Sequence, residues 1–128
     1  MNQFIIEWVD GISVASDSLD ECLTECREVG QLAKVYQLDK NGKEIAQWRF
    51  HDNELQKVWF RINYNGGGYN FCETDIETKK EIAAAFSNVK RFVPTQVEMI
   101  ELDNHNFPSK VLQKFNIKVS KVDFVAAV

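Results

Sequence analysis

Hydrophobic and polar positions alternate from the start of this chain, and two helical stripes interrupt the alternation. Phe4-Ile5-Ile6-Glu7-Trp8-Val9 reads as a strand, and Asp10-Gly11 as a tight turn into Ile12-Ser13-Val14-Ala15. Ser18 followed three residues later by Glu21 is a capping box. It opens a helix to about Val29, which Gly30 stops, and the spacing of Leu19, Cys22, Leu23, Cys26 and Val29 predicts its core-facing stripe. Lys34 to Asp39 and Glu44 to Phe50 then form two strands around Asn41-Gly42, whose positive φ angles suit a hairpin turn.

The theme then repeats. Lys57 to Tyr64 is a strand with Val58, Phe60, Ile62 and Tyr64 on one face, and Asn65-Gly66-Gly67-Gly68 turns it into Tyr69-Asn70-Phe71-Cys72. Thr74 and Glu77 make a second capping box, and Ile82, Ala83, Phe86 and Val89 predict the stripe of a second helix. A strand follows within Lys90 to Leu102, interrupted by Pro94. Phe107-Pro108 suits a helix start, so a short third helix is expected to Phe115, presenting Val111, Leu112 and Phe115 before a stop at Asn116. Ile117 to Val125 closes the chain as a strand. The expected fold class is α+β: an antiparallel sheet built from β-hairpins, with two or three helices packed mainly on one face.

Residues 1–128 read as a single domain with no linker or low-complexity run. Within it lies a candidate β-β-α-β repeat, about 4–50 and 60–102. A shift of 56 superposes Phe4 on Phe60, Ile6 on Ile62, Trp8 on Tyr64, Gly11 on Gly67, Ser18 on Thr74, Glu21 on Glu77 and Lys34 on Lys90. The helix stripes match better at a shift of 60.

At 45% hydrophobic and 27% charged residues, the composition is that of an ordinary globular fold that needs no disulfide or metal staple. The net charge of -4 is uneven: residues 1–56 hold 5 of the basic and 11 of the acidic side chains. No field of Lys and Arg dense enough to displace phosphate counterions is visible, so direct nucleic-acid binding is not expected. The N-terminal residues lack the basic region and long apolar run of a signal peptide, and no apolar run reaches membrane-spanning length. Three cysteines without paired spacing fit a reducing, cytoplasmic setting.

Candidate chemistry is thin. Cys22, Cys26 and Cys72 could offer thiolates to zinc, but two lie in a core stripe and none forms a Cys-x-x-Cys pair, so they read as small apolar core residues. His51-Asp52 and Asp103-Asn104-His105 would make a metal or proton-transfer cluster only if their loops met. Glu77-x-Lys79 resembles a nuclease pair but falls at a capped helix start, where acidic side chains favour the helix dipole. The segment 65–68 joins two strands and so is no phosphate loop. It can instead be a tip that reaches a partner, flanked by Tyr64 and Tyr69. Val58-Trp59-Phe60 is apolar on both faces, so either both faces are covered or an aromatic is exposed as an interface anchor.

The first 50 residues, with their strand, Asp10-Gly11 turn, capped acidic helix and Ala33–Ile45 segment around Asn41-Gly42, resemble in plan small phage and mobile-element proteins, anti-CRISPR inhibitors among them. That likeness rests on pattern and carries over no functional residue. It implies a stoichiometric inhibitor of a host defence complex. The expectation is therefore a non-enzymatic cytoplasmic protein that blocks or sequesters a protein partner with a basic surface. Trp59, Tyr64, Asn65, Gly66, Gly67, Gly68 and Tyr69 form its contact, no metal or cofactor takes part, and a bare sheet face is open to homodimerisation. The alternatives are a binder that sequesters a nucleotide-like signal through Tyr64, Tyr69 and the glycine tip, and a metal-assisted hydrolase using His51, Asp52, Asp103 and His105.

Overall fold

The computed structural model describes residues 3–87, 93–118 and 121–122. They form an α+β fold in which every strand pairing of described register is antiparallel, and two helices lie among the described residues. The chain divides into two compact units, Met1–Val58 and Trp59–Val128.

Unit 1 holds β1 (Gln3–Trp8), β2 (Ser13–Ser16), α1 (Leu19–Val29), β3 (Ala33–Leu38) and β4 (Glu44–His51), then the start of β5 (Glu54–Tyr64). Its strands pair in the order β2-β1-β3-β4-β5. Ser18 caps α1, its Oγ accepting from the Glu21 amide at 3.1 Å, and Gly30 ends it at φ 72°. The Glu21 carboxylate reaches back to the Asp17 amide and the Ser16 hydroxyl, one step beyond the usual box partner. Cys22 and Cys26 are fully buried against Ile6, Trp8, Val35, Trp48 and Phe50, with Leu19 and Leu23 packed beside them. Val29, expected in that stripe, is exposed.

Unit 2 continues along β5 through β6 (Tyr69–Cys72), α2 (Asp75–Ser87), β7 (Pro94–Leu102), β8 (Pro108–Lys118) and β9 (Lys121–Val122), paired in the order β6-β5-β7-β8-β9. Phe60, Ile62, Ile82, Val97 and Phe115 are its most deeply buried apolar side chains. Both units thus run β-β-α-β-β, and their registers coincide at a shift of 56. Phe4 faces Ser16 as Phe60 faces Cys72, and Ile6 faces Val14 as Ile62 faces Asn70. The turns agree bond for bond. The Trp8 amide donates to the Ile12 carbonyl and the Gly11 amide to the Trp8 carbonyl, as the Tyr64 amide donates to the Gly68 carbonyl and the Gly67 amide to the Tyr64 carbonyl, with both glycines near φ 90°.

Several expectations need correction. The third helix, from Phe107 to Phe115, is instead β8, which pairs with β7 through two register shifts. Those shifts leave Leu112 and Ser109 without opposite partners, so Val111, Leu112 and Phe115 only mimic helical spacing. Asn116 lies inside that strand, opposite Gln96, and ends no helix. Pro94 does not interrupt the seventh strand but begins it, where a missing N–H is tolerated. Beyond β9, the expected closing strand lies outside the described residues.

The buried face of α2 is Asp75, Thr78 and Ile82, with Ala85 half-buried beside them, while Ala83 and Phe86 are exposed and Val89 lies outside the described residues. The shift of 56 therefore carries through the helices, placing Cys22 on Thr78 and Cys26 on Ile82, and the shift of 60 does not. At Asn41-Gly42 only Gly42 has positive φ, making a three-residue turn with a bulge. The two-residue turn with both φ positive is Asp52-Asn53, which contains no glycine.

Candidate functional site

The strand pair β5–β6 buries one face and presents the other. Phe60 and Ile62 point inward; Trp59, Arg61 and Asn63 alternate with them and meet Tyr69 and Phe71 across the ladder. Trp59 is half-buried with its ring 5.8 Å from that of Phe71, which stands edge-on to Tyr69 at 5.5 Å. The Arg61 guanidinium lies 5.6 Å from the Tyr69 ring centre, within cation–π range. Tyr69 and Phe71 remain 58% and 38% exposed.

Arg61 is anchored from β7. Its Nε and Nη2 donate to Glu98 Oε1 at 3.0 and 2.6 Å, and Asn63 Nδ2 donates to the same oxygen at 2.7 Å. Burial alone would raise the Glu98 carboxyl. The Asn63 and Arg61 hydrogen bonds and the charges of Arg61 and Lys114 outweigh it, holding the carboxyl below its ordinary value. Lys114 stands directly opposite Glu98 on β8. The network fixes the guanidinium that in turn supports Tyr69.

Between the β5–β6 turn and α2 lies a concavity of about 440 Å³, lined by Tyr64, Gly66, Gly68, Tyr69, Asn70, Glu81 and Ala85. That volume falls within the ~300–1,000 Å³ typical of small-ligand sites. Asn70 Nδ2 donates to the Tyr64 hydroxyl oxygen at 3.1 Å and sets that ring. Asn65 does other work. Its amide donates to the Val93 carbonyl and its Oδ1 accepts from the Val93 amide, tying the turn to the segment before β7. Gly67 is needed for its φ of 89°, whereas a Cβ at Gly68 would meet nothing within 4 Å.

Of the seven residues proposed from sequence, Tyr64, Gly66, Gly68 and Tyr69 line the concavity, Trp59 joins the ring cluster, and Asn65 and Gly67 shape the turn. Sequence reasoning missed Arg61, Asn70, Phe71 and Glu81. The period-two spacing of Trp59, Arg61 and Asn63 with Tyr69 and Phe71 could have revealed the face.

The remaining candidates have local explanations. His51 Nε2 lies 3.2 Å from Asp52 Oδ2 in an exposed turn, and Asp103 Oδ1 accepts from the amides of His105 and Phe107 within its own turn. Among the described residues no group of three or more His, Cys, Asp or Glu side chains is placed to hold a metal ion. Cys22, Cys26 and Cys72 are buried free thiols; burial chiefly raises all three, Cys26 to about 11. No described helix is long and apolar enough to cross a membrane. Comparison with family models, curated proteins and solved structures returns no match.

Proposed function

We propose that this chain is a non-enzymatic binding protein built as two copies of one β-β-α-β-β scaffold, the second of which carries the contact surface. One observation carries the reading. At the five outward positions of the first strand pair, unit 1 holds Gln3, Ile5, Glu7, Ser13 and Ala15. At the equivalent positions unit 2 holds Trp59, Arg61, Asn63, Tyr69 and Phe71, while inward Phe4/Phe60 and Ile6/Ile62 are unchanged. The scaffold is satisfied without those aromatics, so folding does not explain them. Trp, Tyr and Arg are the side chains that dominate binding energy at protein interfaces.

The partner is a protein, and the acidic charge of residues 1–56 favours one with a basic surface, through the rate of encounter more than the affinity. The mode of action is stoichiometric occlusion in the cytoplasm, as in the inhibitors that residues 1–50 resemble in plan. The small-ligand reading is weaker, because the charged group in the concavity is a carboxylate, which repels phosphate. Affinity capture at physiological salt, compared between wild type and Tyr69→Ser/Phe71→Ser, tests the proposal. A protein held by the wild type and by the unit 1 control Ala15→Ser, but lost from the double variant, supports it. Equal capture by all three overturns it.

A further inference from the structure

We infer that the concavity beside the β5–β6 turn receives an arginine side chain of the partner. This rests on the contact reading above and specifies the chemistry recognised there. Glu81 is the one charged side chain among the lining residues, and among the described residues no cation is paired with it. The walls include Tyr64, and the Asn70 bond holds that ring ready before anything binds. A planar, weakly hydrated guanidinium can lie on such a ring while its forked donors meet one carboxylate, which a compact, strongly hydrated ammonium does less well.

Unit 2 already contains one instance of this recognition. Arg61 lies over Tyr69 and gives two hydrogen bonds to Glu98. An arriving arginine would repeat that grouping with the Tyr64 ring and the Glu81 carboxylate. The mouth suits a long side chain, since Gly66 and Gly68 carry no side chains there and the space above the Gly68 Cα is open.

The test titrates N-acetyl-arginine amide into the full chain and follows backbone amides by NMR, with the citrulline and lysine amides and adenosine monophosphate as comparisons. Citrulline has nearly the shape of arginine without the charge. We expect saturable shifts confined to residues 64–70 and 81–85, with the citrulline and lysine amides at least about tenfold weaker. Glu81→Gln should weaken arginine binding by a similar factor, and Glu77→Gln, outside the lining, should not. Absence of saturable shifts, equal binding by either analogue, tighter binding of the nucleotide, or indifference to Glu81→Gln would overturn the assignment. Urea midpoints of both variants check that each is folded. If arginine fails to bind while partner capture still depends on Tyr69 and Phe71, the pocket assignment falls and the contact reading stands. If arginine binds and capture is indifferent to those residues, the contact reading falls instead.

Discussion

Replacing Glu98 by Gln removes one charge from beneath the aromatic face and leaves its shape nearly intact. The wild-type Glu98 side chain is 8% exposed and gathers three donors on one oxygen, two of them from a cation. Hydrogen bonds to charged groups contribute about 1.5–3 kcal/mol, and orphaning a fully buried ion pair costs about 3–5 kcal/mol. The Arg61 side chain is 32% exposed, so water recovers part of its solvation and the lower range applies. The expected loss is about 2 kcal/mol at neutral pH. Because the folded-state carboxyl lies below its ordinary value of 4.5, its contribution is present above that pH and fades as pH falls through the folded value. Urea unfolding followed by fluorescence and far-ultraviolet dichroism should therefore show a gap between wild type and Glu98→Gln that narrows in acid. A gap of equal size at neutral pH and well below 4.5, or no gap at neutral pH, would refute the argument.

The glycine tip separates backbone need from open space. Gly67→Ala should lower stability by about 1 kcal/mol, while Gly68→Ala should be neutral or raise it by about 0.4–1 kcal/mol, as read from urea midpoints. Cys26 should resist alkylation in the folded chain and react once unfolded. Its thiol rises from 9.0 to about 11 on folding, so its share of stability is complete below pH 9 and lost between pH 9 and 11. Cys26→Ala should flatten that alkaline decline.

The turns show what sequence could and could not reveal. Four of them share one backbone pattern, with the positive φ at Gly11, Gly42, Gly67 and Asn106. The three glycines announced their turns, whereas Asn106 sat in a polar stretch that, ahead of Pro108, suggested a loop before a helix. Helix α2 hid its buried face for a related reason. Thr74 and Thr78 are fully buried although polar, because the Thr78 hydroxyl donates to the Thr74 carbonyl at 2.7 Å. Periodicity sought among apolar letters alone therefore slid to Ala83 and Phe86. The proposed contact face was half legible: Trp59 and Tyr69 stood out, but Arg61 and Glu98 are 37 positions apart and meet only through strand pairing.

Strand β6 sharpens the case that the second unit was shaped for contact. Within unit 2 it pairs with β5 alone, and Tyr69-Asn70-Phe71-Cys72 contains no charge, proline or bulge that would blunt an open edge. Such an edge beside exposed aromatic rings is an aggregation hazard that folding does not require. The equivalent strand in unit 1, Ser13-Val14-Ala15-Ser16, shares the uncharged edge but lacks the rings, so the hazard is concentrated in one of two like scaffolds. Arg61 is held over Tyr69 by a buried carboxylate that must itself be desolvated, which packing alone would not demand of a half-exposed strand pair. A surface held rigid at such cost is pre-organised, and pre-organisation strengthens binding by lowering the ordering entropy on association.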